Sequence, residues 1–189
     1  MTREQLESAA NDVFYLAQEM FAFYAWKSRV EPRLGDLPTP LHATLVRNAV
    51  IEAQLMFYRK LNEFFRPANA RFPDDLKSEL FGYRSTGGFM VETEISELHK
   101  RVAHPTTREA THGKVAYEIY NMSYVALEHT IPFLKHLSQH FYTPDSEASR
   151  SMIAGTAVLR KIWDELIGPE KNGHGVLLKG ESNRETKTT

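Results

Sequence analysis

Apolar residues recur along much of this chain at steps of three and four, the period of a helix that buries one stripe and leaves the rest to solvent. Between residues 3 and 27 the stripe is Val13, Leu16, Ala17, Met20, Phe21 and Tyr24, which predicts a first long helix. Arg29, Pro32, Gly35, Pro38 and Pro40 then crowd together. Proline lacks the amide hydrogen and restricts the residue before it, so this segment is expected to be a connecting loop. From Leu41 to Arg66, Val46, Val50, Ala53, Phe57, Leu61 and Phe64 fall within a narrow arc, predicting a second helix that Pro67 closes.

The stretch RPANARFPDD reads as a loop whose Asp74 or Asp75 caps a short helix through Tyr83, and RSTGG as turn material. Residues 92–104 predict a third main helix, with Ile95, Leu98 and Val102 on one side and Pro105 at its end. After the polar connector PTTREATHG, residues 114–142 predict the longest helix, carrying Tyr120, Tyr124, Leu127, Ile131, Leu134 and Phe141. Pro132 predicts a kink within it, because its ring clashes with the Glu128 carbonyl. A last helix over 146–167 bears Met152, Leu159, Ile162, Trp163, Leu166 and Ile167, and is stopped by Gly168 and Pro169. Such segments hide their stripes only against one another. The expectation is an all-α, up-and-down helical bundle of four to five main helices with a short accessory helix. It forms one domain over residues 1–168, followed by a polar, disordered tail over 169–189 with a short apolar patch at Val176–Leu178.

A chain of 189 residues buries a sizeable core without staples. The absence of cysteine excludes disulfides, thiolate catalysis and cysteine-ligated zinc, and fits a reducing cytoplasm. With a net charge of −1 there is no global positive field to draw the chain onto nucleic acid or anionic lipid, which leaves local basic patches as the candidates. The opening MTREQLESAAND lacks the basic start and apolar run of a signal peptide, and the apolar stretches are too short to span a bilayer. A soluble cytoplasmic protein without membrane contact is therefore expected. No phosphate-binding glycine loop, dinucleotide fingerprint or serine-nucleophile elbow occurs, so triphosphatase, dehydrogenase and serine-hydrolase chemistries find no support.

Candidate chemistry sits in polar groups at helical spacing. Asn48, Glu52 and Arg59 project within about 40° of one another on the second helix, flanked by Leu45, Ile51, Leu55, Met56 and Tyr58. That flanking suggests a row lying against another helix, where a carboxylate and a guanidinium need each other. The alternative is an ordinary solvated face. The run His99, Lys100, Arg101, His104, Arg108 gathers two histidines that titrate near neutrality with cations able to hold a phosphate. Its bland reading is a helix-end histidine bonded to a carbonyl beside solvated arginines. His129, His136 and His140 share one side of the fourth helix without the acidic neighbour of a metalloprotease pattern, so surface histidines are preferred there to a metal site. No metal and no cofactor are expected.

The stretch RNAVIEAQLMFYRKLNEFF, then PDD, then EISELHKRVAHPTTRE before a long helix resembles bacterial all-helical proteins of the HEPN-like superfamily, including its abortive-infection branch. The resemblance covers about residues 41–142 and rests on Asn48, Glu52, Arg59, Asp74, Asp75, His104 and Arg108. It implies a helical bundle that forms a homodimer and binds RNA or a nucleotide, with a partner protein in a defence or toxin–antitoxin setting. Active members of that superfamily are metal-independent ribonucleases whose signature separates an arginine from a histidine by four to six residues. Here two residues separate Arg101 from His104 and three separate Arg108 from His112, so a noncatalytic member is equally implied. As a ribonuclease the chain would use His104 as acid or base and Arg101 or Arg108 as the phosphate-holding cation. Glu52 with Arg59 would orient them, and Asn48 and His99 would complete the binding set. The competing reading is a noncatalytic interaction bundle in which Glu52, Arg59 and His104 form a buried polar network that fixes helix register.

Overall fold

A computed structural model of the chain describes residues 1–66, 75–91, 93–96, 98 and 119–166. Among the described residues the architecture is the all-α bundle that the periodicity predicts, with no strand. Four long helices carry it: α1 (Arg3–Arg29), α2 (Pro40–Phe65), α3 (Ile119–His136) and α4 (Glu147–Leu166). None of them is long and apolar enough to cross a membrane.

Each helix start has a local cause. Thr2 opens α1 with a reciprocal cap: its hydroxyl accepts from the Gln5 amide at 3.2 Å, and its own amide donates to the Gln5 side chain at 2.8 Å. Thr39 caps α2 by accepting from the His42 amide at 3.3 Å, with Pro40 at the first helical position, where a missing amide hydrogen costs nothing. At the far end Arg66 is already extended, as the residue before Pro67 must be.

The segment between α1 and α2, expected to be a loop, contains a 3-10 turn over Glu31–Asp36 that buries Leu34. Lys27 and Arg47 close on the Glu31 carboxylate from the two flanking helices. Burial alone would raise the Glu31 pKa, but the hydrogen bonds and charges of these two cations together outweigh it and hold the carboxyl below its usual range.

The core lies where α1 meets α3. Ala10, Val13, Ala17 and Met20 of α1 are sealed against Ala126, Leu127, Phe133 and Leu134 of α3 and the second half of α2. Its densest part is aromatic: Phe64, Phe65, Phe81, Phe133 and Phe141 meet edge to face. Phe81 reaches it from a 3-10 turn over Ser78–Phe81, whose N-cap, Lys77, makes no side-chain cap. The expected aspartate cap is thus not what forms this turn at Asp75, and Asp74 lies outside the described residues. The Phe81 ring in the core holds the turn instead.

The α3 helix runs through Pro132, which faces solvent, and widens after His136 into a π turn over Leu137–Phe141. Its carbonyls are met from outside: Arg3 donates to Phe141, and the Ser149 hydroxyl to Ser138 at 3.1 Å. Residues 93–96 and 98 are helical, with Ile95 and Leu98 buried. The rest of the expected third helix, residues 114–118 of the fourth and the tail lie outside the described residues.

Candidate functional site

The polar row of α2 does not lie where its apolar flanks suggested. Asn48 and Glu52 are exposed and Arg59 is half-buried, and neither charged group forms an ion pair among the described residues. The same face leaves Leu41 at 64%, Leu45 at 56% and Met56 at 49% exposure. The exposure of Glu52 fits the solvated face and not a buried Glu52–Arg59–His104 network, whose His104 lies outside the described residues: α2 turns its other side inward. That side carries Gln54, Leu55, Tyr58, Leu61, Asn62 and Phe65, and the first half of the helix buries no residue fully. Both sides of α2 are apolar enough to read as a core stripe, and packing against α1 and α3 chose between them. His99, Arg101, His104 and Arg108, and with them His112, lie outside the described residues.

What the fold brings together instead is a strap, residues 75–91, seated on α2 and α3. Lys77 Nζ donates to the Glu63 carbonyl at 2.7 Å. Further along, the amides of Phe89 and Met90 both donate to Asn62 Oδ1, at 2.8 and 2.9 Å. Asn62 is fully buried, and its Nδ2 has no partner among the described residues. Gly88 lies so close that an added Cβ would stand 2.7 Å from Asn62 Oδ1 and 2.6 Å from Arg66 Cγ. A second buried amide, Gln54, donates to the Ser123 hydroxyl at 3.1 Å and ties α2 to α3. These two amides were missed by sequence reasoning. The available signal was an asparagine sharing the arc of Tyr58, Leu61 and Phe65, and hence in need of hydrogen bonds within the core.

His129 and His136 of α3 both grip the strap, and His140 lies in the π turn beside His136. The His129 ring is 6.2 Å from Phe65 and 5.2 Å from Phe89. His136 Nε2 is 3.0 Å from the Phe81 carbonyl, and its ring is 5.3 Å from Tyr83 and 5.1 Å from His140. Among the described residues no three His, Cys, Asp or Glu side chains are grouped to hold a metal ion. Burial pushes the His129 pKa down, with the Glu128 charge pulling the other way, and burial pushes the phenols of Tyr58 and Tyr83 up. The strap site is thus a structural clamp of rings and amides. The exposed α2 row is a surface able to accept and donate hydrogen bonds and to pair charge.

The chain matches no protein-family model, no curated protein and no solved structure.

Proposed function

We propose that the chain is a HEPN-like helical-bundle protein that binds RNA or a nucleotide through the α2 row and the basic run that follows it in sequence. In this reading Asn48, Glu52 and Arg59 act with His99, Arg101, His104 and Arg108 in a cytoplasmic defence or toxin–antitoxin setting. The observation that carries it is the exposure of Glu52. A carboxylate and a guanidinium without an ion pair among the described residues, on one helix face, are available to a ligand, whereas a register-fixing network would have sealed and paired them. Arginine supplies the forked donors that recognise phosphate, and a histidine near neutrality supplies the proton transfer if the bound strand is cut.

The test is RNA binding and cleavage by the full chain at low salt. Binding should weaken about tenfold, equivalent to ~1.4 kcal/mol, in Arg59→Ala, with unchanged melting temperature. Cutting, if present, should vanish in His104→Ala. The proposal fails if the wild-type protein neither binds nor cuts RNA or nucleotides, or if these variants match it.

A second reading has its own observation. Leu41, Leu45 and Met56 stand exposed beside the polar row, a composition suited to docking a protein surface. Under it the chain is a noncatalytic interaction bundle, and its internal polar contacts include those of Gln54 and Asn62. Leu45→Glu would then abolish capture of the partner while leaving any RNA affinity untouched.

A further inference from the structure

The strap is fastened differently at its two ends. At the Phe81 end the ring is buried among Phe64, Phe133 and Phe141, at 5.9, 5.5 and 5.2 Å. There His136 Nε2–H donates to the Phe81 carbonyl, a bond that a protonated imidazole keeps. At the other end one side-chain oxygen, Asn62 Oδ1, takes both amide hydrogens, and the half-buried Phe89 ring packs on Tyr58 and His129 at 4.8 and 5.2 Å. That seat carries a standing cost, since Asn62 Nδ2 is buried without a partner among the described residues and would gain water if the strap lifted. Between the two ends lie Gly82 at φ 73° and Gly87 at φ 128°, left-handed positions where the chain can swing without a Cβ penalty.

We propose that residues 75–91 are a hinged strap whose Gly87–Met90 end lifts from α2 when His129 is protonated, while the Phe81 end stays anchored. A charge on His129 would sit against the rings of Phe65 and Phe89, in a setting that favours the neutral imidazole. Among the described residues the charged neighbours are few. On its own helix Glu128 favours the proton. On α2, Arg66 lies against Gly88 and has the same sign as an imidazolium, and beyond the strap Glu94 acts on Tyr58. Tyr58, which packs on the strap's Phe89, and Tyr83, within the strap, stay neutral because burial raises them, and the remaining imidazole on the strap, His136, sits at its Phe81 end. The lifting end leads straight into the next element: the Val91 amide donates to Glu94 Oε2 at 3.1 Å, and the Ile95 amide to the Val91 carbonyl at 3.1 Å. A proton on α3 is thereby transmitted to the start of the helical residues that precede His99. This inference does not depend on the RNA-binding reading.

The experiment is amide hydrogen exchange on the full chain between pH 5 and 8, each rate corrected for its intrinsic pH dependence. Protection at Phe89 and Met90 should fall below about pH 6.5 by up to about tenfold per pH unit. Protection at Gly82, bonded to Glu79, and at Arg66, bonded to Asn62, should hold. In His129→Phe, and in His129→Leu as a second variant, the fall at Phe89 and Met90 should disappear. Three results each overturn the proposal: pH-independent protection in the wild type, the same fall in both variants, or parallel loss at Gly82 and Arg66. If neither variant folds, the wild-type contrast between the two ends decides.

Discussion

Replacing Asn62 by leucine tests the clamp at its centre. Leucine keeps the branched four-atom skeleton of asparagine in a bulkier form, so the change removes polarity and opens no cavity. Two amide hydrogens, of Phe89 and Met90, lose their acceptor. Each unpaired buried donor costs about 1–3 kcal/mol, and one such cost is returned because the orphaned Nδ2 disappears as well. The balance is a net loss of about 1–3 kcal/mol. For a chain of this size that lowers the melting temperature by about 2–12 °C, read by circular dichroism. Exchange at Phe89 and Met90 should accelerate more than the global loss requires. Gly88→Ala strikes the same seat from the strap side, because its new Cβ would meet Asn62 Oδ1. The two changes should therefore be less than additive in combination. A melting temperature within 1 °C of wild type for Asn62→Leu, with unchanged exchange at the two amides, would refute the reasoning.

Three further outcomes follow from the same geometry. Because the folded-state pKa of His129 lies below its unfolded value, its contribution is fully present above about pH 6.5 and is lost as pH falls toward the folded value. Denaturant titrations should show wild-type stability dropping there by well under 1.4 kcal/mol per pH unit, since the ring is partly solvated, and His129→Phe should flatten that drop. Glu31, whose pKa is lowered, contributes above about pH 4.5, so Glu31→Gln should cost no more than about 1 kcal/mol at pH 7 and nothing once the wild-type carboxyl is protonated. Thr2→Ala removes the hydroxyl half of the α1 cap and should cost about 1 kcal/mol, or about 2–4 °C in melting temperature.

Helix positions were legible in the sequence because Pro, Gly and Thr mark ends by local sterics: α2 begins at Pro40 and stops one residue before Arg66, close to the predicted bounds. The 3-10 turn at Glu31–Asp36 was not legible, since its hold is the burial of Leu34, a tertiary contact. The orientation of α2 was legible in part: of its predicted stripe, Leu61 and Phe64 are buried in the core and Val50, Ala53 and Phe57 pack against it, while Val46 is exposed. Met56 and Leu45 are as apolar as Leu55 and Leu61, and the choice between the two sides depends on what α1 and α3 offer, a property of the whole fold. For the α2 row the sequence left two readings open, a buried network and a solvated face, and the exposure of Asn48 and Glu52 fits the second. Asn62 stood unnoticed beside that row because a lone amide among phenylalanines declares its role only once the backbone that it binds is in place.

The contact between Arg3 and Phe141 closes a loop of 138 residues, and α1 finds its main cover in α3. At ordinary synthesis rates of about 5–20 residues per second, roughly 7–28 s separate the emergence of these two partners from the ribosome. During that interval the stripe of Ala10, Val13, Ala17 and Met20 has no permanent cover from α3. Nascent-chain chaperones should therefore engage the first helix, and release should come late, after the π turn has been translated.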